Sequence, residues 1–350
     1  MTTNTLASRI VATGKRDSHV TRLIVLFLII VVFFALIKPE GFTSMRTWQS
    51  MGFQFPEFGL MALGVMLAMI TGGIDLSVVG IANMASISAA VLMLSMTPEG
   101  ATGSQVATAI TVSMLVALVV GGVAGALNGF LVAIVKIPPI LVTLGTLELF
   151  TGIAIIITEG KPVSGLPSQY GEVFAGKLFG VIPMPLVIFT IAAIIIGLLM
   201  ALTTYGTKLR LLGTNSTAAR LSGLNSTALL IKTYTISGLT AATAGLVMLA
   251  NYNSAKADYG STYTLLTVLI VVLGGVNPNG GRGRIIGVIF AILTLQILSS
   301  GLNMFPSISN FYRPLIWGSV LLIVIVADHI SKDGSLKLPF RKQEKTNANG

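Results

Sequence analysis

The sequence contains no cysteine and only two histidines, His19 and His329, among its 350 residues. Without cysteine there is no disulfide framework, no thiolate metal site and no cysteine nucleophile. Both histidines lie outside the apolar runs, so a histidine-rich metal site is not expected either. Charge is equally scarce. Only 10% of residues are charged and 53% are hydrophobic, against roughly 25% charged in an average globular domain. So few charges cannot clothe a soluble surface, and so much apolar sequence is incompatible with disorder. A mean hydropathy of +0.88 agrees. The chain is read as an integral membrane protein. At roughly 20 residues per helical span, ten spans would use about 200 residues. The remainder suffices for tails and connections but not for a sizeable extramembrane domain.

Signatures of chemistry are missing as well. No phosphate-binding loop G-x-x-x-x-G-K-[S/T] occurs; the glycine-rich stretch from Gly280 to Arg284 lacks the lysine–hydroxyl pair. There is no G-x-S-x-G elbow and no H-E-x-x-H pair, so no catalytic residue is assigned. A channel, a transporter or a transporter subunit remains.

What is present is a series of apolar runs. They fall at 23–37, 58–72, 77–96, 106–135, 139–158, 183–203, 228–250, 261–276, 285–304 and 314–328. The first is not read as a cleaved signal peptide, because Lys38-Pro39-Glu40 follows it in place of a small-residue cleavage site. The expected fold is an all-α, polytopic transmembrane bundle of about ten spans with both termini cytoplasmic. Residues 1–22 form a cytoplasmic tail, 23–328 the transmembrane domain and 329–350 a second cytoplasmic tail.

The net charge of +10 tests this layout. With the N-terminus inside, fifteen lysines and arginines fall on the tails and on the inner connections 73–76, 136–138, 204–227 and 277–284. Six fall on the outer connections, which also hold Glu40, Glu57, Glu99, Glu159, Glu172 and Asp258. That bias follows the positive-inside rule. It accounts for the basic balance without a nucleic-acid partner and places the chain in a cytoplasmic membrane. Glycine recurs at helix-packing spacing, with Gly121, Gly125 and Gly129 in one run and Ala241 and Gly245 in another. Small residues four apart let helices approach closely in lipid.

Three segments interrupt this pattern. The first, Gly72-Gly73-Ile74-Asp75-Leu76-Ser77, is either a tight turn or a broken-helix feature. In both, Asp75 suits a helix start, where a carboxylate accepts N–H bonds and meets the positive dipole end. The second is the inner connection 204–227. Asn215 or Ser216 is expected to cap a short helix, and Gly223 to close it. That helix, bearing Arg220, either lies on lipid headgroups or docks into a soluble partner. The third runs from Gly274 through Asn277, Asn279, Gly280, Gly281, Arg282 and Gly283 to Gly287, with two arginines between two spans.

Together, TGGIDLSV at 71–78, AARLSG at 218–223 and LGGVNPNGGRGRIIG at 273–287 resemble the permease family of ribose-type ABC importers, within the branched-chain amino acid/ribose permease superfamily. The segments Lys136–Pro139, Leu144–Leu147 and Ser254–Gly260 fit the same pattern in order. The resemblance implies a dimeric membrane pore, made of two copies or of this chain and a paralogue. Cytoplasmic ATPase subunits would drive it, and a periplasmic binding protein would feed it a monosaccharide or related small polar solute. ATP and magnesium would then reside on the ATPase, with no cofactor on this chain. It also implies that Ala218, Ala219, Arg220, Leu221, Ser222 and Gly223 form the coupling helix. Gly72, Gly73, Asp75, Ser77, Asn279, Gly280, Gly281 and Arg282 become pathway or structural-motif residues. Three features depart from the family: Val79 precedes the glycine that commonly follows Ser77, the loop 276–281 reads Val-Asn-Pro-Asn-Gly-Gly where many members have small hydroxyl residues, and Glu148 lies near the middle of the fifth span. A mid-bilayer carboxylate needs water, a proton or a partner, so Glu148 is counted with the pathway residues and expected to face the pathway or a dimer interface; Asn83, Asn128 and Gln296 are the candidate partners from other spans. The contrasting reading is a stand-alone secondary transporter with Asp75 or Glu148 as its ion site.

Overall fold

A computed structural model describes residues 18–305 and isolated positions between 312 and 322. Most of the tenth apolar run, His329 and both distal tails lie outside the described residues. Within them are thirteen helices and four two-residue strands. The helices are α1 (Ser18–Ile37), α2 (Pro39–Phe42), α3 (Met45–Ile70), α4 (Val78–Met96), α5 (Gly103–Ala133), α6 (Pro139–Thr158) and α7 (Ser168–Phe174). There follow α8 (Met184–Leu202), α9 (Thr204–Thr214), α10 (Ser216–Leu221), α11 (Ser226–Tyr252), α12 (Tyr263–Leu273) and α13 (Ile285–Leu302). Strands β1 (Val163–Ser164) and β4 (Ser254–Ala255) pair antiparallel, as do β2 (Lys177–Leu178) and β3 (Ile182–Pro183). Eight helices are long and apolar enough to cross a membrane.

Seven of the apolar runs become such helices close to their expected bounds; two differ. The run at 58–72 belongs to a helix that starts at Met45. Ser44 caps it, its Oγ accepting the Thr47 N–H at 3.2 Å. The helix continues through Pro56, and the polar residues Gln49, Ser50, Gln54 and Glu57 mask its first half in the hydropathy pattern. Arg46 and Glu57 are thus helix residues, not parts of an outer connection. The run at 261–276 yields only the 11-residue α12. At 1.5 Å per residue it spans roughly 16 Å, about half of a hydrocarbon core. The chain before it folds into the bundle, where the Asn83 amide donates to the carbonyls of Ala257 at 2.8 Å and Tyr259 at 2.9 Å. Irregular backbone is tolerated at that depth when protein groups satisfy it.

Helix α11 is the centre of the bundle, packed against α3, α4 and α5. Gly121 and Gly125 of α5 lie against the backbone of Gly238 and Tyr234, and Gly245 lies against the Ala82 carbonyl of α4. A methyl group at any of the three would overlap a backbone oxygen. The small-residue spacing is therefore helix packing. Helix α3 is buried on every side from Phe55 to Ile70, whereas α1 exposes much of its apolar surface.

Candidate functional site

The three singled-out segments, over 200 residues apart in sequence at the extremes, meet at one end of the bundle. Helix α3 ends at Ile70, and Gly72 turns the chain with φ +88°. The Ile70 carbonyl accepts the N–H of Gly281 at 2.9 Å. Gly280 also has φ +88°. A Cβ on Gly280 would lie 2.7 Å from the Gly72 nitrogen and 2.9 Å from the carbonyl oxygen of Gly213, in the last turn of α9. Three backbones thus touch where no side chain fits, and only glycine takes that φ without cost. The loop around Gly280 is held from within. The Asn277 N–H donates to the Arg282 carbonyl at 3.0 Å, and the Asn279 N–H to Asn277 Oδ1 at 3.1 Å. Asn279 and Arg282 are exposed.

Helix α10 follows directly from this junction. Asn215 Oδ1 accepts the Ala218 N–H at 2.9 Å, and Gly223, at φ +79°, closes the far end. Ala219 is buried against the bundle and the Leu224 N–H donates to its carbonyl at 3.1 Å. Ala218, Arg220, Leu221, Ser222 and Gly223 are exposed, Leu221 to 85%. Leu221 and Arg220 thus form an exposed edge and not a packed turn. Helix α9 anchors this edge to the core. The Tyr205 hydroxyl lies 2.9 Å from the Thr233 hydroxyl, and Lys232 sits 5.7 Å from the Tyr205 ring centre. Burial pushes the Tyr205 phenol up to about 12. Lys232 falls inside the apolar run 228–250, which hid it from the charge reckoning.

Asp75 is fully buried between α3 and α4. Its Oδ1 accepts the Ser77 N–H at 3.0 Å and the Ser77 hydroxyl at 2.6 Å; its Oδ2 accepts the Ser237 hydroxyl from α11 at 2.7 Å. The Asn128 amide of α5 in turn donates to Ser77 Oγ at 2.7 Å, and Thr143 of α6 donates to the Ile74 carbonyl at 3.0 Å. Burial raises the Asp75 carboxyl above its usual range, and the Ser77 and Ser237 hydrogen bonds oppose the shift. As expected, Asp75 stands at a helix start. It also ties the 71–77 turn to α11 through Ser237, while Ser77 and the Ile74 carbonyl carry the ties to α5 and α6; sequence spacing did not indicate these contacts. Gly80, displaced by Val79 from its common place, packs on α6, where a Cβ would lie 2.8 Å from the Leu147 carbonyl.

Glu148 lies on the exposed face of α6, with Leu141 and Gly145 on the same side at helical spacing. The expected intrachain partners are engaged elsewhere: Asn83 holds the 257–259 backbone, Asn128 holds Ser77, and Gln296 binds Gln54 and Ser300.

The acid that sequence reasoning misplaced is Glu57. It is 2% exposed, in the middle of α3. Three donors surround it: the Asn251 amide at 2.8 Å, the Tyr252 hydroxyl at 2.5 Å and the Tyr263 hydroxyl at 3.1 Å. It lines a cavity of about 660 Å³ between α3, α11, α12 and α13. A carboxylate twelve residues into a helix reads as surface unless the helix start at Ser44 is recognised. The Ser44–Thr47 pair was the available signal.

A bundle of long apolar helices, with the short exposed α10 on glycine-locked loops, is the frame of a membrane-embedded protein. The chain belongs to the family described as branched-chain amino acid transport system / permease component, whose profile matches residues 50–327. It is accordingly a multi-pass permease subunit of an ABC importer in the inner membrane, a transport component and not an enzyme. It is 32% identical over 275 residues to the ribose import permease protein RbsC of Bacillus subtilis, covering 77% of this chain and 80% of that protein. It is also 32% identical over 279 residues to the autoinducer 2 import system permease protein LsrD of Photorhabdus luminescens, covering 78% and 80%. The fold matches, with a TM-score of 0.52 and 15% identity, a structure described as an inward-facing conformation of a metal-chelate type ABC transporter; the match covers 89% of this chain and 100% of that one.

Proposed function

We propose that this permease carries a monosaccharide or similar small hydroxylated solute, and that α10 is its coupling helix. The observation that carries the second part is geometric. The exposed Arg220–Leu221 edge lies on the helix that directly follows Gly213 in the chain, and Gly213 abuts the Ile70–Gly281 contact. A push on α10 therefore reaches the turn that holds Asp75, and from there α5, α6 and α11. Named relatives carry ribose and autoinducer 2, which supports the solute class. ATP and magnesium belong to separate ATPase subunits that receive α10. A periplasmic binding protein delivers the solute at the opposite end, and a second permease copy or a paralogue completes the pore. Family membership displaces the stand-alone secondary transporter, and Asp75 is wired as a structural tie.

The test is reconstitution. The chain is co-expressed with ABC ATPase and binding-protein candidates from the same organism, and uptake of labelled neutral sugars is measured in vesicles with and without ATP. ATP-dependent uptake of at least one sugar is expected. Uptake that ignores ATP and follows an ion gradient would overturn the reading.

A further inference from the structure

We propose that the cavity beside Glu57 is a solute site, and that it takes a neutral, polyhydroxylated ligand. The inference rests on the importer reading for its solute class and adds the place and the recognising groups. The cavity lies at the end of the bundle away from α10. At about 660 Å³ it falls within the roughly 300–1,000 Å³ typical of small-molecule sites. Its rim includes Tyr252, 44% exposed, and its interior reaches the buried Glu57. A surface opening and a polar floor are what a passing solute requires.

The polar groups are biased toward accepting hydrogen bonds. A carboxylate offers about four lone-pair positions, and Asn251, Tyr252 and Tyr263 occupy three of those on Glu57. With their protons so committed, neither phenol donates to a ligand. The Asn251 amide nitrogen is spent on Glu57 and on the Phe53 carbonyl, so it does not donate to a ligand either. Gln54, Gln296 and Ser299 add neutral groups, and Phe53 and Phe58 supply apolar faces for C–H surface. Among the described residues no lysine, arginine or histidine lines the cavity, so none of them neutralises an anionic solute there. The carboxylate already holds three protein donors, an arrangement for hydroxyls and not for a naked cation.

The absence of cysteine makes the site directly addressable. Ser299→Cys places one thiol on the cavity wall of the full chain, assembled with its ATPase in membrane vesicles. Its rate of modification by N-ethylmaleimide is measured with D-ribose, D-glucose or myo-inositol, and with choline or gluconate. At least one neutral polyol should slow labelling threefold or more, while choline and gluconate leave it unchanged. Phe179→Cys, on a residue 88% exposed outside the cavity, should label at the same rate throughout. In the Ser299→Cys background, Glu57→Gln should raise the half-protecting concentration about tenfold. Gln54→Ala, at an exposed position, should raise it several-fold and covers the case in which the Glu57 variant does not fold. No protection by any polyol, or equal protection by choline or gluconate, overturns the site. Sugar uptake without protection overturns the cavity alone and leaves the importer standing; protection without uptake does the reverse.

Discussion

The amide of Gly281 donates to the carbonyl of Ile70 at 2.9 Å, joining two loops more than 200 residues apart in the chain. That bond closes the end of α3, whose last carbonyls have no partners within the helix. It is possible only because Gly280 and Gly213 let the backbones approach. Helix α10, the proposed coupling helix, follows from the same point, so damage there should separate assembly from transport.

Gly280→Ala adds a Cβ 2.7 Å from the Gly72 nitrogen and puts alanine at φ +88°. The left-handed conformation alone costs about 1–2 kcal/mol, and the overlap adds to it. The purified permease should melt at a lower temperature, and sugar-stimulated ATP hydrolysis should fall more than the amount of assembled complex. Unchanged stimulation at wild-type stability would show that the junction transmits nothing.

Arg220→Glu reverses a charge on an exposed helix edge and disturbs no internal contact. Insertion should be normal, while solute-coupled ATP hydrolysis should drop severalfold. The same loss is expected from Leu221→Asp, because that side chain is 85% exposed. Wild-type transport by an assembled Arg220→Glu complex would assign α10 to the lipid headgroups.

Asp75→Ala strips the acceptor from the hydroxyls of Ser77 and Ser237, both fully buried. Each donor left unmet costs about 1–3 kcal/mol, so a marked loss of membrane-inserted protein is expected. Asp75→Asn keeps one acceptor oxygen and should retain more. Quantitative immunoblotting of membranes ranks the three; equal amounts would mean that the network contributes little.

Glu148 sits on the outer face of α6, and a lipid-facing carboxylate at mid-bilayer would cost about 2.5–3.5 kcal/mol on insertion scales. It is expected to face the pathway or the second permease. Glu148→Leu should then impair import more than Glu148→Gln, with both inserted normally. Wild-type import by both removes Glu148 from the mechanism.

Asn83→Ala cuts two hydrogen bonds that hold the 257–259 backbone inside the bundle. The buried carbonyls lose their donor, and α12 loses the support that places Tyr263 against Glu57. Proteolysis between α11 and α12 should accelerate, and sugar protection of Ser299→Cys should weaken with it. An unchanged cleavage rate would argue that β1–β4 pairing holds the segment alone.

The sequence by itself determined the apolar helices, the small-residue packing ridges and the capped helix at 216–221. Each rests on neighbours in the chain: a run of apolar residues, glycines four apart, an asparagine three residues before the amide it caps. Composition likewise excluded a soluble fold and thiol chemistry. Tertiary structure decided the rest. The start of α3 at Met45 is masked by the polar residues of its first half, and the packing of α11 and α12 around the helix moved Glu57 from a surface loop to a cavity floor. The convergence of Gly72, Gly213 and Gly280, the three donors on Glu57 and the tie from Asp75 to Ser237 are contacts between distant helices. Hydrogen bonds reach only about 3 Å, and no periodicity along one chain records which residues the packing of the others will bring within that distance.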